Sequence, residues 1–232
     1  MRRTSVSARM VLAAVLALAT VSAVAEPRNV TDGEIALLPV YCRDKEWNGG
    51  FVETFRKERW IAELGNSWKG VHHYCWALVN IRRAQLTVGN SAERRYLIEV
   101  AISDYFYAVE NSTSDFRPLP EIYLRLGEAY ELLEQYAQAI KSYETASSLK
   151  PDYWPAYQRH AETLIKLRLN VRAKQVIELG LRMIPDQPML IQLKNRIDGA
   201  AAERRVSPPK ADTAGSESST NPGAGSPSKA KR

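Results

Sequence analysis

The sequence predicts an all-α solenoid of stacked helix-turn-helix units, about seven to eight helices in all, with an irregular segment at its start. Three observations carry that expectation. From Pro120 onward the chain reads Tyr123-x2-Leu126-Gly127-x2-Tyr130, then Ala139-x3-Tyr143-x2-Ala146, then Pro151. Moved on by 34 residues, the same frame finds Tyr157, Ala161, Leu164, Ala173, Ile177, Gly180 and Pro185. Small residues recur where two antiparallel helices would cross: Gly127 or Ala161 on the first, Ala139 or Ala173 on the second. Proline follows each second helix, because it lacks the amide hydrogen and clashes with the preceding turn.

This pattern resembles the tetratricopeptide repeat family over 120–186, where every signature position of the first repeat holds an expected residue type. One position departs from it: the turn residue that is often glycine is Glu134 in the first repeat and Arg168 in the second. The resemblance implies two helices per repeat, with Ala146 and Gly180 leaving room for the next repeat's first helix. It also implies a concave groove lined by the first helices. Carried over residue by residue, the family frame puts Leu124, Arg125, Glu128, Glu131 and Leu132 in that groove. Gln158, Arg159, Glu162, Ile165 and Lys166 take the matching places in the second repeat. Arg125 and Arg159 are stacked equivalents, and two readings stay open for them. They form a ladder of planar donors for carboxylates or carbonyls, or each closes an ion pair with Glu128 or Glu162 at i+3.

The remaining elements follow from the same frame. Ala101, Tyr105 and Ala108 repeat the spacing of Ala139, Tyr143 and Ala146, so 92–111 reads as the second helix of an earlier, degenerate unit. Its first helix is Trp68 to Leu86, with Tyr74, Cys75, Leu78 and Ile81 on one face. The connection Thr87 to Ser91 carries the turn signal Gly89-Asn90. A helix over Phe51 to Leu64 precedes this unit, which makes 51–119 the N-terminal helical region. Residues 26–50 lack periodicity and are expected to run extended along the helices. Leu190, Leu193 and Ile197 mark a capping helix over 187–202. From 203 to 232 the chain is rich in Ser, Pro, Ala, Gly and Lys, which predicts a disordered basic tail.

Residues 1–25 read as a signal peptide. Arg2, Arg3 and Arg9 precede an apolar run from Val11 to Val24, and Ala23-Val24-Ala25 is a small-residue cleavage site before Glu26. A run of about 14 residues is short for a bilayer, which needs about 20, so no transmembrane segment is expected after cleavage. A periplasmic or secreted bacterial location follows. The net charge of +6 divides between this leader and the tail, leaving 26–202 formally neutral, so the basic pI gives no reason to expect nucleic-acid binding. In an oxidising compartment Cys42 and Cys75, the only two cysteines, are expected to form one disulfide.

His72-His73-Tyr74-Cys75-Trp76 is the local sequence that most invites chemistry. His72, His73 and Trp76 are candidates for a small-ligand or envelope-polymer site. His72, Cys75 and Cys42 offer a weaker case for a metal or redox site, because adjacent helical histidines point about 100° apart. His160, at the place Leu126 holds in the first repeat, reads as a packing residue. No phosphate loop, nucleophile elbow or His-Glu-x-x-His appears. The sequence therefore reads as a non-catalytic scaffold for a protein or peptide partner, with no cofactor and no metal.

Overall fold

In the computed structural model the described residues are 29–45, 47 and 54–206, and among them the regular elements are ten helices. They are α1 (Asp32–Ala36), α2 (Val40–Arg43), α3 (Thr54–Leu64), α4 (Trp68–Leu86), α5 (Ser91–Glu110), α6 (Leu119–Leu132), α7 (Tyr136–Leu149), α8 (Trp154–Lys166), α9 (Asn170–Met183) and α10 (Pro188–Val206). The pairs α4/α5, α6/α7 and α8/α9 pack as hairpins, and each pair stacks on the next. Helix α10 lies against both α8 and α9 as the first helix of an unfinished unit.

Close approach within the hairpins depends on the small residues. A Cβ on Gly127 would sit 2.4 Å from Cε1 of Tyr143, against the ring itself. Ala139 and Tyr143 are fully buried beside it. At Gly180 a Cβ would lie 2.8 Å from Leu190 of α10 and 2.9 Å from Tyr157 of α8. That position is thus the seat of the next first helix.

Glu134 and Arg168 take φ of 59° and 60°, the left-handed conformation that glycine supplies without strain. The hydrogen bonds around them explain why the turn survives. Gln135 N donates to Tyr130 O at 2.9 Å and Glu134 N to Glu131 O at 3.0 Å. Leu169 N and Arg168 N repeat the arrangement on Leu164 O and Ile165 O. These are Schellman motifs, which satisfy carbonyls that a helix end otherwise leaves open.

The N-terminal segment corrects the expectation of an extended 26–50. It contains two short helices, which raises the helix count above seven to eight. Thr31 caps α1 through Glu34 N, and the Glu34 carboxylate accepts from Thr31 N in return, a capping box that starts a helix with no apolar periodicity. Cys42 and Cys75 are bonded, with Cα atoms 5.6 Å apart. Around that bond Trp47 Nε1 donates to Cys42 O at 2.7 Å, and Arg83 of α4 donates to Glu34 at 2.6 Å and to Asn29 O at 3.0 Å. The Arg83 guanidinium holds the Glu34 carboxyl down to about 2. Residues 29–45 and Trp47 thereby cover the face of α4 that no preceding repeat covers. At the other end α10 runs to Val206, past the expected boundary at 202. Residues 1–28, which include the segment read as a signal peptide, and 207–232 lie outside the described residues.

His160 is 7 % exposed, packed at the place of Leu126. Burial and the charge of Arg172 lower its pKa from 6.5 to about 4. Glu144, itself half exposed, stands 3.9 Å from Nε2, beyond hydrogen-bonding reach. Between about 6.5 and about 4 the unfolded chain therefore binds a proton that the native state refuses. Stability should fall as pH drops through that window, by on the order of 3 kcal/mol for this group, which adds no pH dependence outside it. Urea midpoints of His160→Leu should lack this acid loss while matching or exceeding wild type at neutral pH; an unchanged slope would remove His160 as its source. The disulfide closes a loop between residues 33 apart. Cys42→Ser/Cys75→Ser should then lower unfolding stability by about 3–4 kcal/mol, measured by the same titration.

Candidate functional site

The first helices of three units, α4, α6 and α8, share one open concave cleft of about 560 Å³. Helix α4 contributes Leu78, Ile81, Arg82 and Gln85, spaced so that one stripe of the helix faces the cleft. Helix α6 contributes Arg125, Glu128, Ala129, Glu131 and Leu132, and α8 contributes Arg159, Glu162 and Lys166. Tyr105 reaches the same space from α5.

The charges on this surface form a continuous network. Arg125 donates to Glu128 at 3.0 Å, Arg159 donates to the other oxygen of Glu128 at 2.8 Å, and Arg159 also reaches Glu162 at 3.3 Å. The ion-pair reading of the two arginines is the one these distances match. The i+3 pairs form, and Glu128 links the two repeats. At half-exposed positions each pair adds well under 1 kcal/mol, so the network fixes geometry more than it stabilises. Glu128 is the least exposed member, and the Nε of Arg125 is buried and unpartnered.

Glu131 is held differently. One oxygen accepts from the Tyr143 hydroxyl at 2.9 Å and the other from the Thr163 hydroxyl. Burial and the adjacent carboxylate push the Tyr143 hydroxyl well above its usual range, so it remains a donor. Its ring crosses Gly127 to reach Glu131, which places a residue of the second helix in contact with the concave side.

Arg125, Glu128, Glu131, Leu132, Arg159, Glu162 and Lys166 thus come together. Leu124 does not: it is 5 % exposed and packs with Ala139, Tyr143 and Tyr153, so it is a core residue and not a groove residue. The segment before α8 explains this, because Tyr153 folds over that end of α6. Gln158 stands beside the cleft and donates to Glu162 at 2.8 Å. Ile165 packs into the core of α8, α9 and α10. The cleft residues of α4 were not anticipated, because the family frame was carried only over the two regular repeats. The spacing of Leu78, Arg82 and Gln85, continuing the apolar face already read from Tyr74, was the signal.

The histidine cluster sits elsewhere. Trp76 Nε1 donates to His72 Nε2 at 3.0 Å, and Trp47 packs on both, with ring centroids 5.4 Å from Trp76 and 6.0 Å from His72. His73 Nδ1 pairs with Asp104 at 2.7 Å and its ring lies 3.8 Å from Tyr107. The aromatic faces proposed for a ligand are used on one another, beneath the N-terminal segment. With Cys42 and Cys75 bonded to each other, neither thiolate is available to a metal, so the set of His72, Cys75 and Cys42 does not stand as a metal site. Among the described residues no other group of His, Cys, Asp and Glu is placed to hold a metal.

Residues 120–153 match the family model for the tetratricopeptide repeat. No curated protein matches the chain. Among solved structures it is similar to the first tetratricopeptide domain of Spaghetti (RPAP3) bound to an HSP90 peptide, at 21% identity over 56% of this chain and 98% of that one, with a TM-score of 0.41. The first such domain of the human RPAP3 protein gives 21% identity over 57% and 97%, with a TM-score of 0.41. The second, in complex with an HSP70 peptide, gives 19% over 54% and 98%, with a TM-score of 0.39.

The shared carboxylate makes a specific energetic expectation. Tyr143→Phe and Thr163→Val each remove one donor to Glu131 and should each cost about 1–2 kcal/mol. Because both act on one group, the double variant should depart from additivity by at least about 0.5 kcal/mol in denaturant titrations. Strict additivity would mean that Glu131 does not couple the repeats.

Proposed function

We propose that this chain is a non-catalytic interaction scaffold of the bacterial envelope, binding a peptide or protein segment in the cleft between α4, α6 and α8. The observation that carries the reading is the cleft itself. Three successive units contribute side chains to one open concave surface, which suits an elongated ligand better than an enclosed small molecule. The match of 120–153 to the tetratricopeptide repeat supports an interaction role. Export to the periplasm is supported by the leader pattern before Glu26 and by the pairing of Cys42 with Cys75. Among the described residues no helix is long and apolar enough to cross a membrane.

The cleft wall and the outer face of α7 can be compared directly. A photo-crosslinking side chain at Gln85, exposed on the α4 wall, should form a discrete adduct in envelope extracts. The same probe at Lys141, exposed on α7, should not. Equal adducts at both positions, or an adduct at Lys141 alone, would sink the groove assignment.

A further inference from the structure

We infer that one internal water is bound where the N-terminal segment meets the cleft, bridging the hydroxyls of Tyr41 and Tyr74 and the Nε of Arg125. The three atoms come from three elements, α2, α4 and α6. Each is enclosed, and none has a hydrogen-bond partner among the described residues. Tyr74 is wholly buried. A polar atom shut away from solvent without a partner loses its hydration for nothing, and native interiors rarely leave one so. Three such atoms in one place point to a shared guest.

Packing brings them together. The rings of Tyr41 and Tyr74 stack with centroids 6.3 Å apart and planes 20° from parallel. The Tyr74 hydroxyl and the Arg125 charge both act on the Tyr41 hydroxyl, and Tyr74 and Arg125 act on each other. The groups are neighbours, yet no direct hydrogen bond closes between any two of them. Polar atoms placed side by side just beyond direct reach are the setting in which a water bridges.

Charge decides against an ion. Arg125 already donates to Glu128 at 3.0 Å and stands 3.8 Å from Glu121, so its guanidinium is countered and a further buried anion would lack a free partner. Burial keeps both phenols protonated, so they offer no negative charge to a cation. A water fits the donors and acceptors. Its oxygen accepts from Arg125 Nε and the Tyr41 hydroxyl, and one of its hydrogens goes to the Tyr74 oxygen. Three polar partners is the usual number for a buried water. The bridge joins α2 to the arginine that pairs with Glu128, so the strapped end and the cleft share one hydrogen-bonded centre.

The test is a crystal structure of the full chain in which ordered water is visible, joined to thermal unfolding of Tyr41→Phe, Tyr74→Phe and the double variant. The expected map has one water within about 2.7–3.2 Å of all three atoms. Each single variant should lower the Tm, and the double variant should lose less than the sum, because both hydroxyls hold one molecule. An unchanged or higher Tm in either single variant would mean that the hydroxyl had no partner to lose, and would overturn the site. A map in which the two hydroxyls bond each other directly would overturn it as well. So would one in which the Glu121 carboxylate turns in to accept from them, or in which a buffer anion takes the water's place.

Discussion

A missing side chain organises much of this molecule. Because Gly127 has no Cβ, the ring of Tyr143 can lie directly on α6, and its hydroxyl emerges on the concave side to bind Glu131. A methyl group at 127 would force the ring away and separate the hairpin. The same contact therefore sets the distance between α6 and α7 and the orientation of a cleft carboxylate. Thr163 takes the other oxygen of Glu131 and brings α8 into the arrangement. Core packing and groove electrostatics are consequences of one close approach.

The ends of the stack need a different solution. A repeat cannot bury its hydrophobic face alone, and the first unit has no neighbour on its outer side. Here the face is covered by an irregular strap rather than a helix pair, held by the Cys42–Cys75 bond, the Trp47–Trp76 contact and the Arg83–Glu34 ion pair. Short helices such as α1 and α2 are marginal by themselves. Their position depends on these side-chain attachments. His72, Trp76 and Cys75 are explained by this task, and together they account for the unusual composition of that stretch.

Much of this was legible in the residues, for physical reasons that differ by region. In 120–186 the small positions, the aromatic positions and the prolines each answer to a separate steric demand, so the frame is over-determined. The disulfide was legible in there being two cysteines and in an N-terminal pattern that reads as a signal peptide. Leu124 was misplaced because a frame position fixes only where a side chain leaves its helix, while Tyr153, from outside that helix, decides whether it stays exposed. Arg82 and Gln85 were missed because the degenerate unit keeps its second-helix spacing but not the first-helix signature. The strap was opaque because its order comes from tertiary attachments, with no periodic pattern of its own. The left-handed turns at Glu134 and Arg168 show a related limit: the backbone bonding of the motif outweighs the residue preference.

The strap also alters the shape of the concave surface. Tyr74 continues the stripe of Leu78, Arg82 and Gln85 on α4, yet it is fully buried, with the Tyr41 ring stacked on it at 6.3 Å. The charges of Glu121 and Arg125 reach both hydroxyls there, while burial raises each above its usual range. In an uninterrupted array the groove would run past this point. Here it meets a wall one residue away from a covalent bond, since Tyr41 precedes Cys42 as Tyr74 precedes Cys75. The Tyr41–Tyr74 stack thus ties the end of the α4 stripe to the disulfide-bonded strap.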